Sequence, residues 1–190
     1  MNGFTLRDLA RCAGVSVTTI YNIFGDKEGV IAHALREFHE GIRLNLPGGG
    51  ANLVGICRSI IETTEIVIAN RSYAHALAEL YFSSSLADTI FEVIRAMPLQ
   101  VFSHWLRVAQ RDGVLAGTID QNEAERLFAN LEWASIKDWA GGRITDAALP
   151  VFRQRNFLVM AASLCRPARS REAQGLLAKL SAKNLEIVPS

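Results

Sequence analysis

The chain has 190 residues, of which 49% are hydrophobic and 21% are charged, and its formal net charge is +1. This composition is typical of a globular protein with a substantial core and excludes a disordered chain. The three cysteines (Cys12, Cys57 and Cys165) are far apart, so we expect free thiols in a reducing cytoplasm and no disulfide framework. We find no signal peptide, and the longest apolar run is too short to span a bilayer, so we expect a cytoplasmic protein away from the membrane.

The first 25 residues carry closely spaced helix-boundary signals. Thr5 and Asp8 form the pattern of a capping box at the start of a first helix. Gly14 can end this helix because it tolerates a left-handed conformation, and Ser16 is placed to cap a second helix. The spacing therefore predicts two short helices joined by a glycine turn.

The second helix has a polar outward face. Its inward face is predicted to carry Ile20, Ile23 and Phe24. Thr18 and Asn22 point the opposite way, flanked by Thr19 and Tyr21. Short hydrogen-bonding side chains and one amphipathic ring suit the major groove of DNA, which presents donors, acceptors and thymine methyl groups.

A third helix begins after Asp26 and carries Lys27 in its first turn, where an ammonium group can reach a phosphate. The alternative is an ordinary helical corner whose polar side chains are merely solvated. Three helix boundaries in register with one buried face favour a DNA-binding helix-turn-helix. We include Ser16, the cap of the second helix, among the DNA-binding residues.

In this N-terminal segment the sequence resembles the TetR family of bacterial transcriptional regulators. The likeness is carried by Thr5, Asp8, Leu9, Ala10, Ala13, Gly14, Val15, Ser16, Ile20, Tyr21, Phe24, Lys27, Glu28 and Val30. The resemblance implies an all-helical homodimer with a small DNA-binding domain and a larger effector-binding domain. It also implies that Thr5, Tyr21 and Lys27 contact phosphates and that Val17, Thr18, Thr19 and Asn22 face bases.

Two features depart from the family pattern. Members usually have a further helix before the position of Thr5, whereas only residues 1–4 precede it here. Residues 1–46 hold five Lys or Arg and five Asp or Glu, which is a weak electrostatic footprint for DNA. Either the native chain starts further upstream, which we favour, or the domain has lost DNA binding. In the latter case the protein would be a dimeric helical ligand-binding or protein-interaction module.

The rest of the chain has helical periodicity and no sustained β alternation, so we predict an all-α fold. The run Pro47–Gly50 predicts a boundary between a helix-turn-helix domain with a connecting helix (1–46) and a helical ligand-binding and dimerisation domain (51–190). Helices are predicted near 51–69, 72–84, 86–111, 121–140, 150–166 and 170–184. Pro98 should kink or divide the third of these near Met97.

Two apolar stripes on the last long helices suit a partner. They contain Leu127, Leu131 and Ala134 on one helix, and Val151, Leu158 and Ala162 on another. Both stripes could instead face the core of the monomer. The family resemblance favours a four-helix dimer interface.

Polar groups scattered among aromatic residues suggest an effector pocket. The candidates are His75, Tyr81, Gln100, His104, Trp105, Asn130 and Trp133, each of which could also be an ordinary core or surface residue. No nucleophile–base pair or cofactor fingerprint is present, and the i,i+4 pair His33 and Glu37 has no second pair to complete a metal site. We therefore expect no enzyme, no cofactor and no metal.

These observations predict a DNA-binding transcriptional regulator, a ligand-responsive repressor that releases double-stranded operator DNA when it binds a small molecule.

Overall fold

The structure is a computed structural model that describes residues 5–44, 52–84, 86–117 and 120–181. These residues form ten helices: α1 (Leu6–Ala13), α2 (Val17–Phe24), α3 (Lys27–Leu44), α4 (Leu53–Ala69), α5 (Arg71–Tyr81), α6 (Asp88–Ala96), α7 (Leu99–Arg111), α8 (Gln121–Ala140), α9 (Leu149–Leu164) and α10 (Pro167–Ser181). The described part of the chain has no strand beyond one isolated bridge between Leu115 and Cys165. The predicted all-α fold is confirmed.

Helices α4 to α10, which we call the body, begin and end at local sequence signals. The Asn52 side chain accepts a hydrogen bond from the Gly55 backbone at 2.6 Å, and the Asp120 side chain accepts one from Glu123 at 2.9 Å. Pro98 lies between α6 and α7, as predicted, because it has no N–H to continue a helical ladder.

The body has two apolar clusters that meet at α8. One cluster lies between α4, α7, α8, α9 and α10 and includes Phe102, Trp105, Phe128 and Phe157. The other lies between α3, α5, α6 and α8 and includes Leu77, Ile94, Trp133 and Trp139. Helix α8 contributes side chains to both clusters, as does α9 through Leu149, so these two helices join the clusters.

A buried ion pair joins α8 to α9. Arg153 Nε lies 2.7 Å from Glu132 Oε2, and the two side chains are only 6% and 1% exposed. Arg153 also donates to Thr64 Oγ1 on α4 at 2.9 Å, and Asn156 donates to Glu132 Oε1 at 3.1 Å. These bonds link three helices around a single pair of opposite charges.

The connecting helix α3 packs against the body. The ring of Phe38 lies 4.6 Å from the ring of Tyr73 on α5, and His39 shares a hydrogen bond with Gln100 on α7. The predicted boundary at Pro47–Gly50 lies outside the described residues, and the division into domains stays a prediction. None of the described helices is long and apolar enough to cross a membrane.

Candidate nucleic-acid interface and ligand cavity

The first two helices begin and end as their sequence signals predict. The Thr5 hydroxyl accepts from the Asp8 backbone at 3.1 Å, and the Asp8 carboxylate accepts from the Thr5 backbone at 3.4 Å, which completes the capping box. Gly14 has a φ of 67°, in the left-handed region that favours glycine. The Ser16 hydroxyl accepts from the Thr19 backbone at 3.0 Å and caps α2.

Helix α2 presents a polar surface to solvent. Thr18, Tyr21 and Asn22 are all exposed, whereas Ile20 on the opposite side is only 3% exposed. Ile23, which the sequence predicted to face inward, is 66% exposed. At about 100° per residue, Ile23 lies roughly 60° to one side of the buried Ile20, which is enough to turn it toward solvent.

Other predicted DNA-binding residues have structural partners. Val17 and Thr19 are half-buried, and the Thr19 hydroxyl lies 2.9 Å from that of Ser16, so Thr19 belongs to the cap of α2. Lys27 is half-buried at the start of α3, beside Asp26, whose carboxylate accepts from the Gly29 backbone at 2.7 Å. Val17, Thr19 and Lys27 are therefore less accessible than Thr18, Tyr21 and Asn22.

The formal charges of residues 1–46, which include α1, α2 and α3, are balanced. Arg11 pairs with Asp8 at 3.0 Å, and both side chains are well exposed. Exposed pairs of this kind contribute little to stability, but they do reduce the positive potential that would attract phosphates. Binding here would thus depend on hydrogen bonds and shape more than on net charge.

A cavity lies within the body. Its volume, measured as the space open to the centre of a water-sized sphere, is about 120 Å³. Side chains from α3, α4, α5, α7, α8 and α9 form its wall. The wall is mostly apolar and includes Phe38, Ile56, Ile60, Val67, Leu77, Phe102, Phe128, Trp133, Ile136 and Phe157. Its polar members include His39, Thr63, Asn70, Tyr73, Gln100, Glu132 and Arg153. A concave apolar site with a few polar groups is typical of small-molecule binding.

Of the predicted ligand-binding residues, the structure places Gln100 and Trp133 in the cavity wall. Trp105 is 2% exposed and lies behind the wall, its ring 5.1 Å from that of Phe157. The remaining four residues do not line this cavity. Tyr81 and Asn130 hydrogen-bond to each other beside a separate surface cleft, and His75 and His104 are exposed.

Most wall residues were not among the sequence candidates, including Phe38, His39, Tyr73, Glu132 and Arg153. A signal existed for two of them. Glu132 falls four residues from both Phe128 and Ile136, on the buried face of α8. Arg153 occupies the equivalent place between Leu149 and Phe157 on α9. A charged residue within an apolar i,i+4 series indicates burial with a partner.

The predicted dimer residues divide into two groups. Leu127 and Leu131 are each 38% exposed, and Ala134 is exposed beside them. Val151 and Ala162 on α9 are half-buried. Leu158 requires a correction, because it is 1% exposed and fills the core of the monomer. Its neighbour Val159 is 45% exposed, since a shift of one residue rotates a side chain by about 100° around the helix.

Residues 1–34 match the family model described as "Bacterial regulatory proteins, tetR family". The comparisons with curated proteins and with solved structures gave no match. The matched segment includes all of α1 and α2 and the first part of α3, so it contains both the glycine turn and the polar face of α2. This N-terminal segment therefore belongs to the tetR family of bacterial regulatory proteins, a family of DNA-binding transcriptional regulators.

Proposed function

We propose that the protein is a homodimeric, ligand-responsive repressor that acts in the cytoplasm. It binds operator DNA through α2 and releases the DNA when a small molecule occupies the body cavity. The observation that carries this proposal is the position of α3. This single helix starts beside α2 at Lys27 and contributes Phe38 and His39 to the cavity wall.

The DNA-reading surface in this proposal is the exposed face of α2. Thr18 and Asn22 are short polar side chains that can pair with base edges, and Tyr21 can reach the backbone. Lys27 at the start of α3 is the cation nearest in sequence to this surface. Asn22 is thus expected to specify sequence, and Lys27 to add affinity regardless of sequence.

The ligand acts by selecting one position of α3. A ligand shifts an equilibrium only by the difference in its affinity for the two states, and the coupling to DNA is reciprocal. A molecule in the cavity touches Phe38 and His39 directly, so its affinity depends on where α3 lies. Operator DNA should therefore weaken ligand binding by the same factor by which the ligand weakens operator binding.

The dimer in this proposal forms through the exposed apolar side chains of α8 and α9. Leu127 and Leu131 on α8 and Val159 on α9 are large, apolar and exposed. Adjacent exposed apolar side chains on a soluble protein mark interaction sites, and most homodimers use one self-complementary patch. A dimer would set two α2 helices against successive major grooves, about 34 Å apart.

The DNA-reading proposal is tested with an operator selected from a random DNA library. Replacing Asn22 by Ala should remove the preference at one or two base pairs, at a cost of about 1–3 kcal/mol each. Lys27→Ala should weaken all sequences evenly and reduce the salt slope of log K by about one. The matched control is Lys179→Ala, which removes an exposed cation on α10 and should leave that slope unchanged. Unaltered sequence preference in Asn22→Ala would show that α2 does not read the bases.

The dimer proposal is tested by analytical ultracentrifugation. Leu131→Glu should give a monomer with strongly reduced operator affinity, because a carboxylate in an apolar interface has no partner. Val54→Glu is the matched control, since Val54 is 54% exposed and lies on α4, which contributes no residue to the proposed interface. A Leu131→Glu protein with the mass of a dimer would contradict this interface.

One observation favours a second function. The balanced charge of residues 1–46 suits a dimeric ligand-binding or protein-interaction module that does not bind DNA. Failure to bind any DNA at low salt, together with retained ligand binding, would select this alternative.

A further inference from the structure

The polar groups of the cavity wall fall into two classes, and the first is already satisfied. Arg153 and Glu132 pair with each other at 2.7 Å, and Arg153 also donates to Thr64. The opposite charges compensate each other, so this pair offers no unmatched charge to a ligand. An ionised ligand would lose its hydration in this apolar space without gaining a counter-charge from this pair, which is costly.

The second class consists of two polar atoms that lack a partner. Tyr73 Oη and Gln100 Oε1 are buried, and neither has a hydrogen-bond partner from the part of the protein that the structure describes. Both residues line the cavity. Gln100 uses its Nε2 toward His39, which leaves the amide oxygen as an acceptor. An amide oxygen needs a donor, whereas a phenol can donate or accept.

The same two side chains contact the connecting helix. Tyr73 packs its ring against Phe38, and Gln100 hydrogen-bonds to His39. A polar group bound by Tyr73 and Gln100 would therefore lie next to α3. This position lets recognition of the ligand's polar end influence the helix that leads to α2.

We propose that the effector is an uncharged, mostly apolar molecule that carries an O–H or N–H donor for Gln100 Oε1 and a polar atom near Tyr73 Oη. This inference rests on the proposed ligand-responsive function and names the chemical class that the cavity selects. The cavity volume of about 120 Å³, measured as the space open to the centre of a water-sized sphere, compares with roughly 10–15 Å³ for one water molecule. The cavity therefore accepts a ligand on the order of ten non-hydrogen atoms.

Isothermal titration calorimetry with four probes of similar size tests the inference. The probes are 1-octanol, octanoate, octylammonium and 1-methoxyheptane, an isomer of octanol that accepts but cannot donate a hydrogen bond. Octanol should bind at least about tenfold more tightly than either ion, since the paired Arg153 and Glu132 offer neither ion a counter-charge. It should bind about tenfold more tightly than the ether, which leaves Gln100 Oε1 unpaired.

Two substitutions assign this selectivity to its residues. Gln100→Leu should abolish the preference for octanol over the ether, whereas Gln110→Leu, at an exposed position of the same helix, should retain it. Tyr73→Phe, which removes one oxygen, should weaken octanol binding severalfold, and Tyr21→Phe on exposed α2 should not. If Gln100→Leu does not fold, the four probes with the native protein and with Tyr73→Phe still decide the question.

Tighter binding of octanoate or octylammonium, equal binding of octanol and its ether, or no binding of any probe would overturn the inference. Operator affinity is measured separately with each probe. If octanoate binds best and releases the operator, the ligand-responsive function stands and the inferred class is wrong. If octanol binds with the expected preferences and operator affinity is unchanged, the class stands and the switch is wrong.

Discussion

Breaking the buried ion pair between α8 and α9 should be among the most destabilising changes to the body. Glu132→Leu removes the carboxylate that lies 2.7 Å from Arg153 Nε. The guanidinium then stays in a site where its side chain is 6% exposed, with hydroxyl groups such as that of Thr64 as its remaining partners. Arg153 cannot lose its charge at any ordinary pH, so the uncompensated charge must be desolvated in the folded state.

The expected cost is about 3–5 kcal/mol, the range for removing one partner of a buried pair. For a chain of this length, each kcal/mol lowers Tm by about 2–4 °C, so Tm should fall by about 6–20 °C. Adding Arg153→Met to Glu132→Leu should recover most of this loss, because an apolar pair of similar volume carries no desolvation penalty.

Urea unfolding followed by tryptophan fluorescence measures each free energy of unfolding. The matched control is Glu172→Leu, which breaks an ion pair of 2.5 Å with Arg169 on α10 where both partners are partly exposed. That change should cost no more than about 1 kcal/mol. If Glu132→Leu costs no more than the control, or if the double variant is less stable than Glu132→Leu alone, the argument from buried charge is refuted.

Two further predictions concern the turn after α2 and the cysteines. A Cβ on Gly29 would lie 1.9 Å from the backbone oxygen of Phe24, so Gly29→Ala should displace the start of α3 and abolish operator binding in a gel-shift titration. The control is Gly41→Ala, whose Cβ would meet no atom within 4 Å and which should retain operator binding. Burial raises the pKa of the Cys57 thiol to about 11, so this thiol stays protonated at pH 8. It should therefore react with iodoacetamide far more slowly than the exposed Cys12, as measured by mass spectrometry of labelled peptides. Equal reaction rates for the two cysteines would contradict the burial of Cys57.

Much of the fold follows from signals that act over a few residues. The Thr5 capping box, the Ser16 cap and the break at Pro98 each depend on a side chain and a backbone group close by in sequence. Such local interactions can be predicted from the sequence because both partners lie within a few residues of each other. Helical periodicity likewise indicated all-helical packing, since it reports which positions are apolar.

The cavity could not be predicted in the same way. Its wall brings together residues from six helices, such as His39 on α3 and Gln100 on α7, and no local pattern says that they meet. Helical periodicity also does not fix how far each helix is rotated about its own axis. Leu158 and Val159 are adjacent in sequence, yet one is in the core and the other is 45% exposed. The neighbouring helices decide which of two apolar residues is covered.

The length of α3 gives the protein a lever. Phe38 lies eleven residues after Lys27 on a continuous helix, which is about 16 Å at 1.5 Å per residue. A rotation of α3 by about 5° around its cavity end would move the Lys27 end by about 1.4 Å, which exceeds the spread of normal hydrogen-bond distances. Side chains that pair with base edges tolerate much less displacement than an apolar cavity does. In the proposed switch, a small movement of α3 around a ligand therefore becomes a larger displacement at the DNA-reading surface.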